Sequence, residues 1–188
     1  AWLADLGSDT VFFGTQSGPA RARGRGEVLQ PLESSGLSAP VLVVTPDVEC
    51  PTGRVFQEWG AAAPNSTDEY TNGLQPAALA AVPALRDVHR ALSAIHPGPW
   101  HLSGSGSSWF VELAGGASGA LPDGAQAPVF DVASEPSRAA AQAFWHARVH
   151  RVLDSVRYVG VHLPFAGGFH GSSLGVVCCH SSDAEARA

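Results

Sequence analysis

The chain has 188 residues, 45% of them hydrophobic, enough for one domain, or one domain and part of another, to bury a core. Its formal charge is −6 and all 11 basic residues are arginines, with Arg21, Arg23 and Arg25 the one small cluster, which makes a poor candidate for sequence-independent nucleic-acid binding, and no nucleic-acid partner is expected. No apolar run nears the ~20 residues of a membrane helix, no signal peptide opens the chain, and three cysteines in no framework spacing point to a reducing, cytoplasmic location without a membrane partner.

In chain order, residues 1–8 read as the end of a helix, with Trp2, Leu3 and Leu6 on one side and Gly7 as C-cap. An opening of that kind, without Met, fits a piece cut from a longer protein. "TVFFG" (10–14) and the segment from Val28 to Leu32 have strand character, separated by Gly/Arg-rich turns. "SSGLSAP" (34–40) is a boundary between structural units.

"VLVVTP" (41–46) is a short β-branched run of the buried-strand kind. A helix is expected from Pro51-Thr52 through Val55, Phe56 and Trp59. "NGLQPAALAAVPALRDVHRALSAI" reads as two helices broken at Pro83, the second with Leu85, Val88, Leu92 and Ile95 on one face. "WHL" and "SWFVEL" are strands on either side of "SGSGSS". Residues 115–130 are Gly/Pro/Ala-rich and read as an exposed insertion. A helix over 136–155 and a strand "VRYVGVHL" (156–163) follow, then an aperiodic tail from 166 to 188. From residue 41 the order strand, helices, strand, strand, helix, strand predicts an α+β fold of the split βαβ, ferredoxin-like kind.

The Ser/Gly stretch therefore joins adjacent strands inside a domain. A Gly-rich turn there can aim several backbone N–H groups at an anion; it can equally be an ordinary loop of turn residues. Asp9, at a junction before an apolar segment, could act as a general base or simply cap or turn the chain. His162, His170, Cys178, Cys179 and His180 match no zinc spacing. His146 and His150 lie four apart in "HARVH", which lacks the glutamate of a metalloprotease helix. No metal ligands are assigned. "GSGSS" also lacks the closing glycine of a nucleophile elbow.

Taken in order, "LGSDTVFF", "GRGEVLQPL" (24–32), "VLVVTPDVECPTGRVF" (41–56), "NGLQPAALAAVPAL" (72–85) and "HLSGSGSSWFVEL" (101–113) resemble the GHMP small-molecule kinases. The pattern is most like the members that act on a cytidine-diphosphate-linked methylerythritol. The resemblance implies ATP with Mg2+ as co-substrate and phosphorylation of a hydroxyl of that small molecule in isoprenoid precursor synthesis. It implies that Asp9 is the base toward the hydroxyl. It also implies that Thr52 and Phe56 contact substrate, with Phe56 able to stack on cytosine or else to be a core aromatic. Ser103, Gly104, Ser105, Gly106 and Ser107 would line the active site near the transferred phosphate. On this reading residues 1–38 end an N-terminal α/β domain, 39–165 form the C-terminal GHMP kinase domain, and 166–188 are an irregular tail. Thr10-Val11 stand where the family has Val-Pro, and the family's Gly-rich nucleotide loop and active-site lysine are not found; the chain holds no lysine at all. The chain alone is accordingly expected not to turn over ATP. Two alternatives are a non-catalytic ligand-binding relative and another GHMP kinase.

Overall fold

The computed structural model describes residues 3–7, 10–15, 20–24, 26–31, 40–61, 72–113, 121–125 and 135–162. They fall into two compact units, one holding the described residues up to 31 and the other those from 40 onward.

In the first unit, α1 (Leu3–Leu6) is followed by α2 (Thr10–Thr15) and a hairpin of β1 (Ala20–Arg23) and β2 (Val28–Pro31), paired antiparallel from Ala20↔Pro31 to Arg23↔Val28. Two expectations are corrected here. "TVFFG" is helical, because an apolar run this short carries no period that separates strand from helix. The Arg-rich stretch expected to be turn is strand β1, and the alternation Ala-Arg-Ala-Arg is the period-2 signal for it. The strand expected over 28–32 is present.

The second unit is built on β3 (Val41–Pro46). Its burial alternates, with Leu42 and Val44 fully buried and Val41, Val43 and Thr45 half-buried, because successive side chains leave opposite faces of a pleated strand. Two strands flank it antiparallel: β5 (Trp109–Glu112) on one side and β6 (Val156–His162) on the other, with β4 (His101–Leu102) outside β5. Counted within the unit, the spatial order is second, third, first, fourth, which is the ferredoxin-like arrangement with antiparallel neighbours throughout.

Among the described residues between β3 and β4 lie three helices, α3 (Thr52–Ala61), α4 (Gln75–Ala81) and α5 (Ala84–Ser93). The break between the last two falls at Val82-Pro83, where a proline cannot supply the N–H that would continue α4. Leu85, Val88, Leu92 and Ile95 are all buried, as their spacing predicts, and meet Trp109, Val111 and Trp145 in one core. Burying each such large side chain contributes about 1.5–3 kcal/mol. α6 (Glu135–Val149) is shorter than the predicted helix and gives way to turns at Arg151 and Val152, which bond back three residues. No helix among the described residues is long and apolar enough to cross a membrane.

The segment expected to be an exposed insertion is in part tied down. Leu121 is buried in the core, and Arg148, itself buried, donates to Asp123 at 2.5 Å while lying 4.6 Å over the Phe144 ring. The Arg148 hydrogen bond, then one from the Ala125 amide, holds the Asp123 carboxyl below the usual carboxylate range.

Candidate active site

The loop Ser103–Ser108 joins β4 to β5 and is braced from within by Ser103 N–H to the Ser108 carbonyl (2.8 Å) and Gly106 N–H to the Ser103 carbonyl (3.0 Å). Gly104 and Gly106 sit at φ 56° and 102°, which side chains with a Cβ adopt only under strain. Within the described residues the amides of Gly104, Ser105 and Ser107 have no backbone acceptor. Among the described residues nothing stands within 4 Å of where a Cβ on Gly104 would be, so toward them the loop is open at its tip.

Three neighbouring elements hold this loop. From the start of α3, the Thr52 and Ser105 hydroxyls bond at 2.9 Å, and the Cys50 thiol donates to the Ser105 carbonyl at 2.9 Å. From the turn before α4, the Asn72 amide donates to the Leu102 carbonyl (2.8 Å) and the Gly104 carbonyl (2.7 Å), while the side chain of Gln75, the first residue of α4, accepts from Leu102 N–H at 2.9 Å. From β3, Thr45 and Ser108 share a hydroxyl contact at 2.8 Å and the Pro46 carbonyl accepts from Ser107 at 3.4 Å. Asp47 clasps β3 to β6 at the same end, accepting from Arg157 (2.5 Å) and Ser155 (3.1 Å), and the Arg157 bond holds its carboxyl below the usual range. Burial pushes the Cys50 thiol up, so Cys50 serves here as a hydrogen-bond donor rather than a nucleophile.

Sequence position brings Thr52 to the loop because α3 begins there: the Pro51 carbonyl accepts from Arg54 and Val55, leaving the Thr52 hydroxyl at the first helical position. Phe56 lies one turn further on the same face and is half exposed, so it is not a core aromatic; Val55 is buried in its place. Among the candidate residues, then, Thr52, Ser105 and their loop neighbours Ser103, Gly104, Gly106 and Ser107 are brought together, with Phe56 a turn away. Asp9 lies outside the described residues, as do His170, Cys178, Cys179, His180 and the side chain of His162. His146 and His150 sit ring to ring at 4.3 Å on the end of α6, and among the described residues no group of three or more His, Cys, Asp or Glu side chains could hold a metal ion. Sequence reasoning missed Cys50, Asn72 and Gln75 as loop anchors. The Asn-Gly pair at 72–73 before a helix was the available signal for one of them.

Substituting Gly106 tests how tightly the loop is built. A Cβ there would lie 3.0 Å from the Cys50 sulfur at φ 102°, so Gly106→Ala should destabilise by about 1–3 kcal/mol in urea unfolding. Gly104→Ala, in open space, should lose less, about 1–2 kcal/mol. Adding Cys50→Ala to Gly106→Ala should recover the steric share only; equal losses at both glycines would refute the packing of Gly106 on Cys50.

No protein-family model matches the chain. It is 36% identical over 105 residues to a 4-diphosphocytidyl-2-C-methyl-D-erythritol kinase of Erythrobacter litoralis, covering 49% of this chain and 38% of that protein. It is 28% identical over 127 residues to the chloroplastic enzyme of that name from Oryza sativa, covering 57% of this chain and 31% of that protein. Among solved structures, a 4-(cytidine 5'-diphospho)-2C-methyl-D-erythritol kinase superposes over 88% of this chain and 58% of its own, with TM-score 0.54 and 22% identity. The sequence similarity to kinases of that name is thus found over about half of the chain, and the chain shares the fold of the solved kinase, its second unit being α+β. The chain spans less than half the length of the curated relatives it matches.

Proposed function

We propose that the chain is the substrate-side portion of a small-molecule kinase that transfers phosphate from ATP to the 2-hydroxyl of 4-diphosphocytidyl-2-C-methyl-D-erythritol. That would make it a cytoplasmic participant in non-mevalonate isoprenoid precursor synthesis. Residues 39–165 would be its C-terminal domain, 1–38 the end of the preceding domain, and 166–188 a tail. The observation that carries the reading is the Thr52–Ser105 bond, which fixes a Gly-rich loop with open amides beside the N-terminus of α3. A helix N-terminus and free amides both favour a phosphate, and the exposed Phe56 ring one turn away offers a stacking surface for cytosine.

In this reading the loop amides of Gly104, Ser105 and Ser107 take the charge developing on the phosphoryl oxygens. Thr52 and Phe56 hold the cytidylyl end, and Asp9 accepts the proton of the attacking hydroxyl. Mg2+ would neutralise phosphate charge alongside ATP; among the described residues no group of three or more His, Cys, Asp or Glu side chains could hold it.

The test is phosphate transfer from ATP to the cytidylyl substrate. The chain alone should give none. Joined downstream of the preceding portion of a matched relative, it should give turnover. A folded chimera that binds both substrates and transfers no phosphate would overturn the reading.

A further inference from the structure

The end of α6 carries two imidazoles with no part in the Ser/Gly loop or its anchors. His146 and His150 are half-buried and four residues apart, with ring centroids 4.3 Å from each other and 47° between the planes. The backbone between them keeps the helical bond, His150 N–H donating to the His146 carbonyl at 3.1 Å, so the two side chains share one face on successive turns. The residues between them serve the core instead: Val149 is fully buried, and Arg148 turns inward to pair with Asp123.

We propose that His146 and His150 form a two-imidazole site for a divalent transition metal of the zinc, nickel and copper class, with water in the remaining positions. Imidazole suits that class, whereas Mg2+ and Ca2+ take oxygen ligands, so this site is distinct from any that holds the ion of ATP. Two imidazole nitrogens bound at about 2.0–2.1 Å, with right to tetrahedral angles at the metal, set the ring centroids about 4.5–5.2 Å apart. The pair stands just short of that span, so small side-chain rotations on an unchanged backbone admit the ion. A ligating ring must be neutral, and burial, then the charge of His146, holds His150 below the usual imidazole pKa. His146 lies in the last turn of α6 and His150 just past its end, so a bound ion staples that turn and fixes the start of the connection to β6.

The experiment titrates Zn2+ into the full chain carrying His170→Gln, Cys178→Ser, Cys179→Ser and His180→Gln, which removes competing ligands near the C-terminus. Binding, thermal midpoint and histidine ring resonances are followed, the His146 and His150 signals being identified by their loss in His146→Gln and His150→Gln. Both rings should shift together, and the midpoint should rise, because folding is what brings the pair together. Mg2+ at the same concentration should move neither ring. Each glutamine variant should weaken Zn2+ binding at least about tenfold, since the second ligand lies within reach of an ion held by the first; His101→Gln should leave it unchanged. The metal-induced rise is read against each variant's own midpoint without metal, which separates lost binding from lost stability. If Zn2+ moves neither ring, or both variants bind as tightly as the parent, the site does not exist. If one ring alone shifts and only its variant weakens binding, the two do not chelate together and the proposal is overturned.

Discussion

Replacing Trp109 by Ala should cost the second unit about 3–5 kcal/mol, the range for emptying a large buried aromatic site. Trp109 is fully buried in β5, paired with Leu102 across to β4 and with Val44 of β3, and its ring lies 4.9 Å from that of His89. It is also the first strand residue after the Ser/Gly loop, so the vacancy would open directly beneath one end of it. A domain of this size has about 5–15 kcal/mol in total, so the variant should be marginal. Denaturant unfolding should show a lowered midpoint at unchanged slope. Trp109→Phe, which leaves most of the ring volume, should lose clearly less; equal losses would mean that the site collapses around either residue and that the Trp109 packing is not what fixes the strand.

In the chimera that turns over, Asp9→Asn should lower kcat by about 10²–10⁴-fold, the usual contribution of a general base. Sequence position supplies a competing role, because Asp9 directly precedes Thr10, the first residue of α2, where a side-chain oxygen caps a helix. Asparagine caps about as well as aspartate but cannot take up a proton. The substitution therefore separates the two: turnover lost with unchanged thermal stability supports the base, and turnover kept with Asp9→Ala destabilised by about 1 kcal/mol supports the cap alone.

The sequence made some of this legible and hid the rest for identifiable reasons. Leu85, Val88, Leu92 and Ile95 announced a buried helix face because periodicity is a local property that packing then obeys. Val41–Pro46 read as a buried strand for the same reason. "TVFFG" reads as strand because three apolar residues fit either period, and "ARAR" reads as turn because its alternation runs for only four residues between Gly/Pro-rich flanks. The loop was visible as a composition, but not what holds it. Cys50, Asn72 and Gln75 reach it only because the sheet order sets β4 and β5 beside the starts of α3 and α4. Hydrogen-bond partners chosen by topology leave no spacing to read.

That same sheet order bears on the time at which the site comes into being. The β4–β5 hairpin closes on itself within a few residues, an event of about 1–10 μs. Its fixings are remote: the Thr45–Ser108 contact spans 63 positions, Thr52–Ser105 spans 53, and the Asp47–Arg157 clasp spans 110. Pairings across such separations form slowly, since chain entropy is lost before they return anything. The loop can thus take its rough outline early and yet acquire its final shape only when β3 docks between β5 and β6, so a newly made chain would be compact before this loop is locked.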